Sequence, residues 1–381
     1  MIYDCLFPHT VGGAERWYRD VAEQLADGHE VTYITRRQWP AGELPDGPAG
    51  SRVVALAGDD ELYSQDGSRA MLPPVRFGLG VLGHLLRHRH RYDVIHTASF
   101  PYFPLLAAVL VRLAGGPPVI VDWHEVWTRA YWVQYVGRLT GSIGWVVQAV
   151  CVRATARAFT FSRLHARRLV EEGLRGEVTV LPGEWSGPVE PRAPVGSVRP
   201  SVLFAGRLIA EKRPLSIPPV VASIRLRREE VTATILGQGP IRQDLEALVS
   251  ELGLEDVVRM PGFVGQEELE RELGTSACLL LPSVREGYGQ VVVQAASFGT
   301  PSVVVAHPDN AATELVEPGR NGFIAPSTDP EALAEAIERV LEAGERLRAS
   351  TREWFAERAP QITVERSLEV IEDGYRQEIR P

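Results

Sequence analysis

Residues 282–301, with the sequence PSVREGYGQVVVQAASFGTP, combine one acidic side chain with closely spaced glycines. The preceding residues 277–281 are apolar, which is typical of a strand buried on both faces of a parallel sheet. A helix is predicted directly after the glycines, and its first backbone N–H groups have no partner within the helix. Glycines let such a backbone approach a ligand closely, and a carboxylate accepts hydrogen bonds from the hydroxyls of a polyol. The residues with this chemistry are Glu286, Gly287, Tyr288 and Gly289. The same pattern also fits an ordinary strand-to-helix turn.

Two cations follow a different buried strand, predicted over 201–206. Arg207 and Lys212 lie five residues apart, and Lys212 is the only lysine among the 40 basic residues of the chain. Fixed cations stabilise the negative charge that develops on a departing diphosphate, on the order of several kcal/mol. Solvated surface charges are the alternative interpretation, because most Lys and Arg side chains are exposed.

Two further glycine pairs stand between a predicted strand and a predicted helix. Gly12 and Gly13 precede a helix whose N-terminus carries partial positive charge, which favours an anion. Gly237 and Gly239 belong to a Gly-Gln-Gly-Pro sequence. Each pair is weak evidence by itself, because plain tight turns use glycine in the same way.

His124 stands at the end of a buried strand predicted over 119–122, next to Glu125. A lone histidine is more often structural than functional, and eight of the nine histidines lie in the first half of the chain. The carboxyl ends of strands are nevertheless where ligands bind in open α/β sheets. His124 is therefore a candidate site residue of the first half.

Four of the eight tryptophans lie between residues 123 and 145. Trp127, Tyr131 and Tyr135 follow one another at intervals of four, which places them on one face of a helix. Core packing is one interpretation of these aromatic residues. The other is an aromatic wall for a glycan or lipid-linked acceptor, since Trp and Tyr offer an apolar face with a polar tip. The members of that wall would be Trp123, Trp127 and Tyr131.

Short buried strands alternate with helical segments in both halves of the chain, which predicts parallel βαβ units and an α/β fold. The strands are predicted over 1–7, 29–35, 93–96, 119–122 and 158–161, and then over 201–206, 231–237, 257–260 and 277–281. Residues 182–200 hold five prolines and three glycines, which is typical of a linker. We therefore expect an N-terminal domain over 1–182, a linker over 183–200, a C-terminal domain over 201–355 and a last helix over 356–381.

A chain of 381 residues is too long for one ordinary core and fits two domains. Its net charge of −9 is uneven, because residues 1–190 carry a net of −1 and the remainder carries −8. Nucleic-acid binding requires a basic patch, so this balance argues against a nucleic-acid partner. Cys5, Cys151 and Cys278 are too scattered for a disulfide framework or a metal cluster, which suits a reducing cytoplasm. No signal peptide or membrane-spanning stretch is evident, so a cytoplasmic protein is expected.

Taken together, these motifs resemble the retaining GT-B glycosyltransferases of the family 4 type, the glycosyl transferases group 1. The resemblance covers almost the full length and is strongest over 200–325. It implies two facing Rossmann-like domains, with a C-terminal helix that crosses back to the first domain. It also implies a nucleotide-sugar donor held mainly by the second domain, an acceptor held mainly by the first, and transfer with retention of anomeric configuration.

The resemblance also implies roles for residues of this sequence. Arg207 and Lys212 would hold the diphosphate and Glu286 would orient the sugar. His124 would contact the transferred sugar. The chain lacks an Asp-x-Asp pair, so metal-independent chemistry without a cofactor is implied, with the nucleotide sugar as a substrate. The further donor-binding positions carried over from the family are Gly12, Gly13, Gly237, Gly239, Phe263, Val264, Gly287, Tyr288, Gly289 and Gln294.

One of these positions departs from the family pattern. The family normally has a second glutamate eight residues after the first, and this sequence has Gln294 there. That glutamate accepts hydrogen bonds from the ribose hydroxyls, and an amide oxygen accepts them without charge assistance. The expected loss of donor binding is about 1–2 kcal/mol. This departure leaves open a weakly active subunit that binds sugar nucleotides. A nucleotide-sugar epimerase of the same fold is the other alternative, but it would need a second acid/base set, and the Glu-Gly-Tyr-Gly motif argues against it.

The basic run 87–91, Arg-His-Arg-His-Arg, has two interpretations. It is a solvated helix end, or it meets anionic lipid headgroups. The second interpretation would make the protein peripheral at the inner face of a membrane. The expected partners are thus a nucleotide-sugar donor, a glycan or lipid-linked acceptor, and a membrane surface.

Overall fold

The computed structural model describes residues 1–40, 42–58, 72–193 and 195–379, and the chain divides into two compact units. Unit 1 comprises Met1–Ser186 and Ile362–Pro381, and unit 2 comprises Gly187–Gln361. The first boundary falls four residues beyond the domain end expected at 182. Among the described residues, no helix is both long and apolar enough to cross a bilayer.

Unit 1 contains a parallel sheet whose central strands are apolar and buried, as expected where helices cover both faces. Ile2 forms bridges with Ile34 and Thr97 and so joins a two-stranded part of the sheet to a four-stranded part. The strand predicted over 1–7 is reduced to these bridges, because the chain bends at Asp4 and turns directly afterwards. The strands are β1 (Thr32–Thr35), β2 (Arg52–Ala55), β3 (Ile95–Ala98), β4 (Val119–Asp122), β5 (Arg157–Thr160) and β6 (Glu177–Val180).

Two helices of unit 1, α4 and α6, begin at a side-chain cap. The Ser162 hydroxyl accepts a hydrogen bond from the His165 N–H, and the Thr128 hydroxyl accepts one from the Tyr131 N–H, both at 3.2 Å. The helices that precede unit 2 in the chain are α1 (Gly13–Leu25), α2 (Leu72–His88), α3 (Tyr102–Leu113), α4 (Arg129–Val136), α5 (Arg138–Ala154) and α6 (Arg163–Glu171).

Unit 2 contains a six-stranded parallel sheet and a separate pair of very short parallel strands. Its strands are β7 (Arg199–Ala205), β8 (Thr232–Leu236), β9 (Val258–Gly262), β10 (Ser276–Leu281), β11 (Arg285–Glu286), β12 (Ser302–Val305), β13 (Asp309–Asn310) and β14 (Gly322–Ala325). Its helices are α7 (Ile217–Arg225), α8 (Arg242–Glu251), α9 (Gln266–Thr275), α10 (Gln290–Ser297) and α11 (Pro330–Arg358).

The strand order of the large sheet in unit 2 is β14-β12-β10-β7-β8-β9. The chain starts at β7, runs outward through β8 and β9, and then returns to β10 on the other side of β7. The order therefore reverses between the neighbouring strands β7 and β10. In open α/β sheets, ligands bind outside the carboxyl ends of the strands at such a switch point.

The last helix, α12 (Val364–Ile379), belongs to unit 1, although α11 before it belongs to unit 2. The predicted return of a C-terminal helix to the first domain is thus confirmed, but its expected start at 356 lies inside α11. That helix continues to Arg358 and is followed by a short 3-10 turn at Ala359–Gln361. Pro360 lacks a backbone N–H and cannot continue an α-helix, which accounts for this break.

Candidate functional site

Lys212 and Glu286, two residues predicted to act in catalysis, contact each other directly in unit 2. The Lys212 Nζ lies 2.5 Å from the Glu286 Oε1. Lys212 ends a short 3-10 turn after β7, and Glu286 ends β11 after β10, so both lie beyond the switch point. The side chains are 21% and 8% exposed, respectively. An anion that arrives here can therefore compete with the Glu286 carboxylate for the ammonium group.

Backbone and side-chain contacts hold the two loops together. The Val284 N–H donates to the Glu211 carbonyl oxygen at 3.0 Å, and the Arg285 guanidinium lies 3.6 Å from the Glu211 carboxylate. These contacts come from the residues directly before Lys212 and Glu286. They fix the separation of the two loops, and Glu211 was not recognised in the sequence because it carries no motif of its own.

The Asn310 side chain holds the loop that leads to Glu286, and this residue was not identified from the sequence either. Its buried amide nitrogen donates to the carbonyl oxygens of Ser283 and Val305 at 3.0 and 2.8 Å. Its amide oxygen accepts a hydrogen bond from the Ala312 N–H at 3.0 Å. A buried amide with both ends satisfied specifies one conformation of the loop.

Gly289 is required by the shape of the turn that begins α10. Its φ is 104°, in the left-handed region, and a Cβ there would lie 2.7 Å from the Cβ of Ala312. The helix that follows has no side-chain cap, and its Val292 N–H donates to the Gly289 carbonyl oxygen at 2.8 Å. Gly287 lies in the same turn, and the ring of Tyr288 is buried.

Gly237 and Gly239 have a structural explanation within unit 2. A Cβ on Gly237 would lie 1.9 Å from the Gly206 carbonyl oxygen, and a Cβ on Gly239 would lie 2.3 Å from the Leu208 carbonyl oxygen. The Leu208 N–H also donates to the Gln238 carbonyl oxygen at 2.9 Å. Close packing of two backbone segments therefore requires these glycines, and their contact with a donor stays a prediction.

The remaining donor positions of unit 2 lie at or near its surface. Arg207 is exposed and forms no ion pair with any residue that the structure describes. Phe263 is exposed directly after β9, and Val264 beside it is half-buried. Gln294 is half-buried on α10. Arg207 and Phe263 thus have room to meet a ligand without displacing protein groups.

His124 lies in unit 1 beside a buried carboxyl group. Its Nδ1 is 3.8 Å from the Glu184 Oε1, and its ring stacks on Phe161 with centroids 5.2 Å apart. Burial lowers the pKa of His124 below its ordinary value, although the nearby carboxylate of Asp122 opposes this shift. A neutral imidazole at neutral pH follows, able to donate from one ring nitrogen and accept at the other.

Glu184 is the site-adjacent residue that sequence reasoning missed, because it lies in the Pro- and Gly-rich segment assigned to the linker. It is buried, and burial together with the carboxylates of Asp122 and Asp20 raises its pKa to about 8. Because this pKa lies above 7, Glu184 carries its proton at neutral pH. The neighbouring Trp185 contacts the C-terminal part of unit 1, because its backbone N–H donates to the Ile362 carbonyl oxygen at 3.0 Å.

A buried hydrogen-bonded chain connects four elements of unit 1 near His124, namely α1, β3, β4 and α12. The His96 Nδ1 is 2.6 Å from the Tyr375 hydroxyl, and the His96 Nε2 is 2.7 Å from an Asp122 carboxylate oxygen. The Trp17 indole N–H donates to the other Asp122 oxygen at 3.0 Å. Burial favours a raised pKa for Asp122, but the His96 imidazole and the Trp17 N–H outweigh it and lower that pKa. Asp122 is therefore a fixed negative charge.

Gly12 and Gly13 lie where the sequence placed them, at the start of α1. Gly12 has an extended backbone with a φ of −173°, which any residue can adopt. A Cβ there would meet the flexible end of the Glu15 side chain rather than backbone. The structure thus gives no internal reason for this glycine, and a role in approach to a ligand stays a prediction.

The predicted aromatic wall is only partly available to an acceptor. The Trp127 ring centroid lies 4.9 Å from that of Tyr131 and 5.3 Å from that of Tyr135, so these three form one cluster. Trp123 is fully buried in the core of unit 1, because it continues the buried run of β4. It cannot contact an acceptor directly, which corrects its assignment as an acceptor-binding residue.

The described residues contain no group of three or more His, Cys, Asp or Glu side chains arranged to hold a metal ion. The charged groups near the switch point of unit 2 include Arg207, Lys212 and Glu286, beside the Glu211–Arg285 pair. The site thus offers cations to an anion, and a carboxylate to hydroxyl groups.

Two family models match the sequence over most of its length. Residues 12–184 match the glycosyl transferase 4-like domain, and residues 193–361 match the glycosyl transferases group 1. The chain belongs to the glycosyl transferases group 1. Lys212 and Glu286 both lie within the segment that matches the group 1 model, and their contact with a donor stays a prediction.

Two curated relatives resemble the chain over part of its length. Alpha-D-kanosaminyltransferase of Streptomyces kanamyceticus is 34% identical over 161 residues, which are 42% of this chain and 40% of that protein. A D-inositol 3-phosphate glycosyltransferase of Nocardioides sp. is 35% identical over 157 residues, which are 37% of this chain and 34% of that protein. The matches thus span less than half of the length of these relatives.

Solved structures with the same fold extend the likeness to nearly the whole chain. Sucrose-phosphate synthase from Thermosynechococcus elongatus gives a TM-score of 0.79 at 19% identity, covering 96% of this chain and 94% of that chain. Anabaena HepE, in complex with UDP and glucose, gives a TM-score of 0.76 at 18% identity, covering 98% and 97%. The predicted α/β fold of the GT-B type is thereby confirmed for this group 1 member.

Proposed function

We propose that the protein transfers a sugar from a nucleotide-sugar donor to a glycan or lipid-linked acceptor, with retention of anomeric configuration. The observation that carries the proposal is the Lys212–Glu286 pair beyond the switch point of unit 2. It combines a cation for a diphosphate with a carboxylate for sugar hydroxyls. Family membership supports the reaction class, and HepE, a structural neighbour, was solved with UDP and glucose.

In the proposed reaction, the bond between the anomeric carbon and the diphosphate oxygen breaks, and a bond to the acceptor oxygen forms on the same face. The diphosphate leaves with the electron pair of the broken bond and takes up the proton of the acceptor hydroxyl, and Arg207 and Lys212 stabilise its charge. Glu286 accepts hydrogen bonds from sugar hydroxyls and orients the ring. His124 contacts the transferred sugar, and its neutral imidazole adds no charge of its own.

The proposed transfer reaction needs no metal ion. Arg207 and Lys212 support this part of the proposal, because they are fixed cations. Activity should survive a chelator, because these cations neutralise the leaving group without a divalent ion. Initial rates measured with and without EDTA test this. Loss of the rate with EDTA and its recovery with magnesium or manganese would contradict the assignment of both cations.

Gln294→Glu should tighten donor binding, if Gln294 occupies the ribose position. A carboxylate would restore two charge-assisted hydrogen bonds, for an expected gain of about 1–2 kcal/mol, or roughly five- to thirtyfold in affinity. Calorimetric titration with UDP and GDP measures the gain, which should shrink for 2′-deoxy analogues. Gln243→Glu, which adds the same charge at an exposed position of α8, is the matched control. Unchanged or weaker binding would mean that the ribose is held elsewhere.

The decisive experiment for the function is a panel of UDP-, GDP- and ADP-sugars, incubated with and without candidate acceptors. A glycosyltransferase releases the nucleoside diphosphate slowly without acceptor and faster with one. An epimerase would instead yield an isomeric sugar, and a binding subunit would bind a nucleotide without releasing any product. Absence of release across the panel, with binding retained, would overturn the proposed function.

A further inference from the structure

One face of α5 is apolar and open to solvent. Leu139, Ile143, Val146 and Val150 follow one another at intervals of three or four residues and therefore share one side of the helix. Each side chain is between 50% and 77% exposed. Single exposed apolar residues are ordinary, but four in phase on one helix are not. These four residues are called the α5 face below.

The surroundings of the α5 face are basic. Residues 126–170 contain seven arginines and no Asp or Glu, in a chain whose net charge is −9. Arg157 is buried and pairs with Glu177 and Glu378, and the Trp145 indole of α5 donates to the Glu172 carboxylate at 3.0 Å, so the exposed arginines are the ones that matter for this face. Arg138 and Arg153 are exposed at the two ends of α5, and the Arg129 guanidinium lies over the Trp145 ring at 5.4 Å. An apolar helix face flanked by arginines is complementary to an anionic lipid surface, where aliphatic side chains enter the interface and guanidinium groups meet phosphates.

Exposed residues at the end of α4 extend this surface along the chain. Tyr135 and Val136 directly precede α5 and are both exposed. A tyrosine suits the boundary between headgroups and acyl chains, because its ring is apolar and its hydroxyl is polar. The aromatic cluster of Trp127, Tyr131 and Tyr135 therefore lies just before the α5 face in the sequence.

A second copy of the chain is a poorer occupant for the same surface. A two-fold interface places the same patch of both subunits together. The exposed arginines of one copy, Arg138 and Arg153, would then approach those of the other, with no acidic residue on α4 or α5 to separate them. Like charges would oppose such a dimer, whereas anionic lipids would attract the same face.

We infer that the α5 face is a docking surface for an anionic lipid bilayer. The apolar side chains enter the interface, and Arg129, Arg138 and Arg153 bind lipid phosphates. The binding itself does not depend on the proposed transferase activity. The further consequence, that the acceptor is lipid-linked rather than a free glycan, rests on the proposed function.

The test uses the full chain and vesicles of phosphatidylcholine, with and without phosphatidylglycerol. Wild type should sediment with the anionic vesicles, less with phosphatidylcholine alone, and less at high salt. Ile143→Asp should lower the partition coefficient at least about tenfold, because a charge then replaces a side chain that enters the interface. Leu226→Asp, a matched change at an exposed leucine of unit 2, should leave it unchanged. Arg138→Gln with Arg153→Gln should reduce binding to anionic vesicles only.

The outcomes separate this inference from the proposed function. Failure of wild type to bind anionic vesicles at low salt, or equal binding by Ile143→Asp, would overturn it. A concentration-dependent dimer that Ile143→Asp abolishes would show that a second copy covers the face, and would overturn it too. Release of nucleoside diphosphate from a nucleotide sugar should be the same in Ile143→Asp and wild type. Absence of that release in wild type would contradict the transferase function and leave vesicle binding unaffected.

Discussion

Lys212→Ala should lower turnover about 10²-fold or more, the scale of removing one preorganised group that stabilises transition-state charge. The substitution removes the ammonium group that lies 2.5 Å from the Glu286 carboxylate. It deprives the leaving diphosphate of a cation and also leaves a largely buried carboxylate without that partner. The effect should appear mainly in kcat, because charge on the leaving group grows as the transition state is approached.

The matched control is Arg213→Ala, which removes the neighbouring cation. Arg213 is exposed and interacts with the Thr328 hydroxyl at 3.4 Å rather than with Glu286. Its loss should change kcat less than about threefold, as expected for a surface charge outside the site. Wild-type turnover in the Lys212→Ala variant would place Lys212 outside the reaction and would refute the assigned role.

Glu184→Gln should stabilise unit 1, increasingly as the pH rises. The folded state holds the pKa of Glu184 at about 8, above its ordinary value of 4.5, because of burial and the nearby carboxylates of Asp122 and Asp20. The unfolded chain releases this proton at lower pH than the folded chain does, so wild type loses stability between about pH 4.5 and 8. The loss from this group is on the order of 3–5 kcal/mol as an upper value. A neutral amide carries no such penalty.

Urea unfolding at pH 5, 7 and 9, monitored by tryptophan fluorescence, measures this effect. Seven of the eight tryptophans lie in unit 1, so the signal reports almost entirely on that unit. The difference between Glu184→Gln and wild type should be smallest at pH 5 and largest at pH 9. Glu30→Gln changes an exposed glutamate of the same unit and should show no such trend. A pH-independent difference would show that Glu184 is ionised at neutral pH.

Several buried parallel strands were predictable because their sequences are largely apolar. Residues 119–122 have the same bounds in the prediction and in the structure, and the run before the acidic loop became β10. The strands β2, β6, β12 and β14 were not predicted, although residues 53–57 form an apolar run, residues 177–180 alternate and β12 is fully buried. Family membership and the fold type followed from the spacing of glycines and charges around 206–212 and 286–300.

The contacts that organise the candidate site were not predictable from local sequence. Asn310 and Glu211 act through hydrogen bonds to backbone that is distant in the chain, and nothing in their neighbourhood signals this. Glu184 lay in a segment whose proline and glycine content indicated a linker, and only tertiary packing buries it. The same limit applies to Trp123, whose burial distinguishes it from the half-buried Trp127 four residues later.

The division of unit 1 into two stretches of chain has a consequence for biosynthesis. Unit 2 is contiguous, so all of its residues emerge from the ribosome before α12 does. At 5–20 residues per second, the segment that follows Ser186 takes about 10–40 s to translate. During this time the first 186 residues lack Tyr375, and the chain of buried hydrogen bonds through His96 ends without its last member. The N-terminal part of unit 1 therefore cannot complete this buried network until the last residues of the chain have been made.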